Sequence, residues 1–345
     1  MTKLPPLPSQ PAGVPWPTTE WPEAKPDMAT ATKLAPLLDL AFSDPAPASL
    51  GETHAFLAVQ GGQIVAERYW TGFDVTSTHH SWSQAKSMTQ ALVGILVREG
   101  KLDIHAPADV PEWQGTDDPR RAITLDQLLR MSSGLKFAED YVDAGVSDVI
   151  EMLFGSGKED VGGFAAKFPL IHPAGTTWSY ASGTTNIVAR IAARALGASG
   201  DAFRDFMVRE LFGPIGMASA DPKFDKAGTF IGSSFCFCTV RDFARFGMLY
   251  LRGGVWDGRR ILPEGWVDYA RTPTPVPATE TYGYGAHWWL GMAGPGSFSS
   301  NGYEGQYTVM VPELDLILVR NGKSPLEQKD EVMRWMGDVA DCFRG

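Results

Sequence analysis

The chain has 345 residues, with 40 acidic against 30 basic side chains and a formal net charge of -10. That balance excludes a basic face able to neutralise phosphates without regard to sequence, so no nucleic acid partner is expected. At 44% hydrophobic residues the chain can bury a large core, and its length suits two sub-domains better than one.

The opening, MTKLPPLPSQPAGVPWPTTEWPEAKP, lacks an uninterrupted apolar stretch and a cleavage site, so it reads as an extended Pro-rich arm over 1–30 and not as a signal peptide. No later segment approaches the about 20 apolar residues of a membrane helix, so a soluble, cytoplasmic protein with no membrane partner is expected. Three cysteines, Cys236, Cys238 and Cys342, cannot all pair and are read as buried free thiols.

After the arm, AFLAVQGGQIVAERYW predicts two strands around a Gly61-Gly62 hairpin turn. From Gln84 to Glu99 the residues Met88, Ala91, Leu92, Ile95 and Leu96 form one helical stripe, and Gly100 is placed to end it. TLDQLLRM, TNIVARIAARAL, DAFRDFMVRELF and TVRDFARFGMLYL then follow as helices between Gly-, Pro- and Asp-rich loops. GQYTVMV and LDLILVR form a second hairpin across Pro312-Glu313, and EQKDEVMRWMGDVADCF closes the chain as an amphipathic helix. Strands at both ends with helices between predict an α+β fold. Its antiparallel sheet is built from both chain ends (31–82 and 255–345), flanked by terminal helices, and joined by a mainly helical domain (83–254) with the active site between the two.

Ser83-Gln84-Ala85-Lys86 places a hydroxyl at a helix N-terminus and an amine one turn later on the same face. A serine nucleophile needs a neighbour to take its proton, and a helix N-terminus offers positive dipole and backbone N–H groups to a developing oxyanion. The pattern recurs at Ser133-Gly134-Leu135-Lys136, which contains a glycine and follows a helix end, and is read as a loop. Tyr180-Ala181-Ser182 lies in a loop ahead of an amphipathic helix; a phenol beside a lysine can relay a proton, and either group can be the base.

The order of these motifs resembles that of the serine β-lactamases, D,D-peptidases and β-lactamase-like carboxylesterases: S-x-x-K, then Y-x-N or Y-x-S, then a strand motif ending in Gly. LLRMSSGL at Leu128–Leu135 and LFGPIGM at Leu211–Met217 look like structural segments of the same family, and the resemblance covers most of the chain. Within it, EDYVD at Glu139–Asp143, Tyr180-Ala181-Ser182, HWW at His287–Trp289 and GYEGQ at Gly302–Gln306 resemble the 6-aminohexanoate-dimer hydrolase branch, whose members cleave small esters and amides. The resemblance implies Ser83 as nucleophile, Lys86 and Tyr180 as the proton-handling pair, and the N–H groups of Ser83 and Tyr303 as oxyanion hole. It further implies Tyr141 at the leaving group, Trp289 as a pocket wall, and Ser182 and Gly302 as substrate-binding positions. The expected function is hydrolysis of a small ester or linear amide by a monomer or homodimer, the alternatives being β-lactamase or D,D-peptidase-like activity or a catalytically silent binding or regulatory protein on the same fold.

Where the wider family offers Lys or His in its third motif, this chain has Ser300-Asn301-Gly302, or Tyr303-Glu304-Gly305 in the alternative register. The missing cation removes a charge-assisted partner for a β-lactam carboxylate and disfavours a dedicated β-lactamase. Asp140 and Glu304, beside Tyr141 and Tyr303, instead suit an amine-bearing substrate. Histidines 54, 79, 80, 105, 172 and 287 form no H-E-x-x-H or other ligand cluster, so neither metal nor cofactor is expected, and His79-His80 is read as surface or supporting. Ser83 sits in HSWSQAK, which is no G-x-S-x-G elbow. GSGKEDVGG lacks the spacing of a phosphate loop and reads as a mobile loop at the pocket mouth. Tyr282, Tyr284, Trp288 and Trp289 are read either as ligand-stacking groups or as core and pocket wall.

Overall fold

Both faces of the central sheet are covered, because its strands bury side chains on each side. The structure, a computed structural model, describes residues 4–141 and 147–345. The strands run β1 (Glu52–Gln60), β2 (Gln63–Tyr69), β3 (His79–His80), β4 (Asp221–Pro222), β5 (Cys236–Cys238), β6 (Val255–Trp256), β7 (Arg259–Arg260), β8 (Gly283–Tyr284), β9 (Trp289–Leu290), β10 (Phe298–Gly302), β11 (Gln306–Val311) and β12 (Leu316–Lys323). The helices are α1 (Met28–Ala41), α2 (Gln84–Arg98), α3 (Leu125–Leu129), α4 (Asp148–Phe154), α5 (Val161–Ala166), α6 (Ser182–Leu196), α7 (Asp201–Met207), α8 (Val240–Leu251), α9 (Trp266–Arg271) and α10 (Lys329–Asp341).

Seven strands form one antiparallel sheet in the order β2-β1-β12-β11-β10-β9-β8. Gly61 and Gly62 both adopt positive φ (57° and 76°), the requirement of the tight turn that joins β1 to β2. Alternate residues of each strand face opposite ways, and two cores result. Phe56 and Ala58 of β1 with Val309 and Val311 of β11 meet Leu34 of α1 and Val332, Met336 and Val339 of α10. Ala55, Leu57 and Val59 with Met310 and Ile317 instead meet α2 and α8. The α8 segment, read from sequence as part of the helical block 83–254, packs on β1, β11 and β12, because its buried stripe includes Phe243, Phe246 and Met248.

The Pro-rich arm ends at the Asp27 cap of α1 and is bound along its length. Proline lacks an N–H but keeps its carbonyl, so these carbonyls are free to accept from guanidinium groups. Arg271 Nη2 donates to Pro5 O (2.7 Å), Arg245 Nε to Pro17 O (2.7 Å), and Arg252 Nε to the Gln10 side chain (3.0 Å). Arm residues 1–3 lie outside the described residues. Among the described residues no helix is long and apolar enough to cross a membrane.

Candidate active site

Ser83 is the residue before α2, and a network around it fixes where that helix begins. Ser81 Oγ donates to Ser234 O (3.1 Å) and accepts from Cys236 N (3.0 Å), tying the approach to β5. Trp82 then takes a positive φ of 43°, unusual for a bulky side chain, and is stacked on the His80 ring at 4.0 Å. Gln84, fully inside, accepts at one oxygen from Ser300 Oγ (3.0 Å) and Thr308 Oγ1 (2.7 Å). That oxygen docks the start of α2 onto β10 and β11 and sets Ser83 beside the end of β10.

One turn on, Lys86 is 1% exposed, and its Nζ donates to Ser83 Oγ (2.8 Å), Ser182 Oγ (2.9 Å) and Ser233 O (3.0 Å). All three N–H directions of an ammonium are satisfied. Burial nonetheless lowers the lysine to about 8, with the negative charge of Glu139 opposing the shift. An amine poised near neutrality against a hydroxyl is a competent base.

Tyr180 lies across this pair, with its ring centroid 4.9 Å from Lys86 Nζ and 5.3 Å from the Trp289 ring. Burial first, and the charge of Glu139 second, push the Tyr180 phenol well above its ordinary value, so it keeps its proton at neutral pH. Tyr141 is raised for the same two reasons, and Ser83 is among the groups acting on both phenols. The Tyr141 ring stacks on Tyr303 at 4.6 Å, and its hydroxyl donates to Glu139 Oε1 (3.0 Å).

Glu139, to which the sequence reading assigned no role, is the centre of this network. It accepts from Ser182 N (2.7 Å) and Ser182 Oγ (2.5 Å) at the first residue of α6, where the helix dipole also favours a carboxylate. Ser182 is 1% exposed and lies between Lys86 and Glu139, off the cleft wall. Its hydroxyl accepts from Lys86 and gives its one proton to Glu139, so it serves this network and is not on the cleft wall, where contact with substrate was expected. The signal available in sequence was a carboxylate two residues before Tyr141, but nothing in it places Glu139 against a helix that starts 43 residues later. Val142 and Asp143 of the EDYVD segment lie outside the described residues.

Ser83, Tyr141, Tyr180, Trp289, Gly302 and Tyr303 line one cleft of about 490 Å³. Asn301 and Gly302 end β10 on its wall and Ser300 turns to Gln84, while Tyr303–Gly305 forms the 3-10 turn that follows. A side chain at Gly302 would put its Cβ 2.3 Å from Ser81 O, so only glycine lets β10 approach the nucleophile's segment this closely. Among the described residues the N–H groups of Ser83 and Tyr303 have no hydrogen-bond acceptor, and both residues border the cleft. Among the described residues, Glu139, Asp140, Glu280, Glu304 and Asp330 line the cleft against one basic residue, Lys329, which pairs with Glu280 at 3.4 Å.

Other expectations divide. GSGKEDVGG runs from the end of α4 into α5 and does not reach the cleft, because Val161, Gly162 and Gly163 are buried helix residues packed near α6; its placement at the pocket mouth is corrected. Of the four clustered aromatics, Tyr282 and Trp289 line the cleft, whereas Tyr284 and Trp288 are buried in the core. His79 is buried against Phe73, and desolvation takes both His79 and His80 down to about 4, leaving them neutral packing groups.

The chain is 28% identical over 293 residues to the 6-aminohexanoate-dimer hydrolase of Paenarthrobacter ureafaciens, covering 79% of this chain and 73% of that one. Its fold is similar to that of the "Putative 6-aminohexanoate-dimer hydrolase from Bacillus anthracis" (TM-score 0.76, 22% identity, 98% of this chain and 90% of that chain). It is also similar to a family VIII carboxylesterase (TM-score 0.69, 15% identity, 93% and 99%). The Beta-lactamase family model matches residues 52–338, a span that contains every residue of the cleft, and the chain belongs to the beta-lactamase family.

Proposed function

We propose that the protein is a serine hydrolase that cleaves small carboxylic esters or linear amides through an acyl-enzyme on Ser83. The observation that carries this reading is the 2.8 Å contact between Ser83 Oγ and a buried Lys86 lowered to about 8. Neutral Lys86 takes the Ser83 proton as Oγ bonds to the carbonyl carbon, and the carbonyl oxygen, now anionic, meets the N–H groups of Ser83 and Tyr303. Collapse breaks the bond to the leaving alkoxide or amine, which takes a proton from the Tyr180 hydroxyl. Lys86 returns a proton to Tyr180. Water, losing its proton to Lys86, then attacks the acyl carbon, and Ser83 leaves reprotonated. The raised Tyr180 and lowered Lys86 favour this division of labour over a tyrosinate base.

The acidic cleft wall supports substrates that carry an ammonium group and opposes anionic β-lactams, whose carboxylate would face Glu139, Asp140 and Glu304. The test is turnover of p-nitrophenyl acetate and butyrate, nitrocefin and a linear 6-aminohexanoate dimer, with Ser83→Ala alongside. Ester or amide turnover lost in Ser83→Ala supports the reading. Activity that survives in the variant places the nucleophile elsewhere and ends it.

A further inference from the structure

Arg320, on β12 between β1 and β11, is 0% exposed, and among the described residues no carboxylate pairs with it. Its guanidinium is satisfied by oxygens from three segments. Nη1 donates to Gly305 O (2.8 Å), Nη2 to Leu50 O (3.1 Å), Glu52 O (3.2 Å) and Ser324 Oγ (3.0 Å), and Nε to Thr53 Oγ1 (3.1 Å). Burying a cation without a counter-charge is expensive, and an apolar side chain of similar volume is ordinarily the cheaper occupant of a strand interior. What an apolar side chain lacks is a rigid fork of donors that can hold several backbone carbonyls at set positions.

The carbonyl that Arg320 holds most closely belongs to the turn that carries Tyr303. Inside that turn Glu304 has φ of 60°, a left-handed conformation that needs outside support in a non-glycine residue. Gln306 supplies more of it: Nε2 donates to Glu304 O (3.1 Å) and Gly322 O (2.6 Å), and Oε1 accepts from Asn321 Nδ2 (2.9 Å) and Gly322 N (3.1 Å). Ser324, which Arg320 also binds, returns its own N–H to Glu304 O (3.1 Å). The turn is thus clamped from beneath by β12 and the segment after it, while its upper side faces Ser83.

We propose that Arg320 is a positioning residue for the oxyanion site: together with Gln306 it holds the Tyr303–Gly305 turn so that Tyr303 N–H stays aimed into the cleft. The proposal rests on the hydrolase reading for its catalytic consequence, but the positional part stands apart from it. A donor misaligned by a fraction of an ångström stabilises the tetrahedral oxyanion poorly and ground-state substrate almost as well as before, so kcat falls and KM holds.

The experiment compares wild type with Arg320→Lys, which keeps the charge but not the fork, and with Gln306→Leu, which loosens the same turn without touching a charge. Three readouts are taken on the folded fraction: kcat and KM for p-nitrophenyl butyrate, affinity for a boronic acid that forms a tetrahedral adduct on serine, and amide exchange of Tyr303 and its neighbours. The expected result is a kcat loss of about 10- to 100-fold with KM within about threefold, boronate affinity falling in step, and faster exchange in the turn than in β1. A lowered melting temperature with kcat, boronate affinity and turn exchange unchanged would overturn the proposal and leave Arg320 a structural residue. If wild type turned over no ester and no phosphonate labelled Ser83, the hydrolase reading would fall, and turn exchange would still decide whether Arg320 holds the turn.

Discussion

The pattern Ser-x-x-Lys occurs twice in this chain, and the fold treats the two copies in opposite ways. At Ser83–Lys86 a helix begins, the lysine is buried, and a 2.8 Å contact joins the two side chains. At Ser133–Lys136 the backbone is a loop tied to Leu170 by an isolated bridge; Ser133 is buried and caps Leu135 N, while Lys136 is exposed. Same residue types at the same spacing differ because helical periodicity turns the first pair onto one face and Gly134 interrupts the second. Burial also lowers Lys86 to about 8, against the opposing charge of Glu139.

The sharpest way to break this contrast is substitution at both copies. Ser83→Ala and Lys86→Ala should each lower ester kcat/KM by on the order of 10³-fold or more, and Lys136→Ala should stay within about twofold, as exposed positions do. Equal losses at Lys86 and Lys136 in steady-state assays would erase the distinction.

A smaller effect should come from the docking contact that orients the first copy. Gln84→Leu strands the Ser300 and Thr308 hydroxyls, with a stability loss of about 1–3 kcal/mol and a kcat loss of roughly tenfold as α2 shifts against β10. Urea titration and kinetics on the folded fraction separate the two.

Next in size is the pH dependence of the base. The proposed mechanism makes neutral Lys86 the active form, so the rate should rise with pH and level off above about 8. Glu139 raises the lysine against desolvation, so Glu139→Gln should move the midpoint to lower pH. A pH-rate profile shifted upward in that variant would contradict the assigned sign.

The smallest effect concerns the cleft rim. Asp140→Asn should lower the preference for an ammonium-bearing over a neutral substrate by about two- to threefold, the scale of one exposed, salt-screened charge. An unchanged preference would remove Asp140 from substrate selection.

Much of this was legible in sequence because it depends on local periodicity. The Gly61-Gly62 hairpin, the stripe on α2, the β11–β12 hairpin and the closing helix α10 are all set by residues close together in the chain. The placing of Ser83 and Lys86 on one helical face, and of Tyr180 just ahead of α6, followed from motif order and spacing.

What only the tertiary structure decided involves partners far apart. Glu139 meets Ser182 across 43 positions, Gln84 meets Ser300 across 216, and Arg320 meets Leu50 across 270. The α8 helix reads like any amphipathic helix, yet which sheet face it covers depends on the whole topology. A hydrogen-bonding side chain states in sequence that it needs a partner, and only the folded chain, by closing those loops, determines which one it finds.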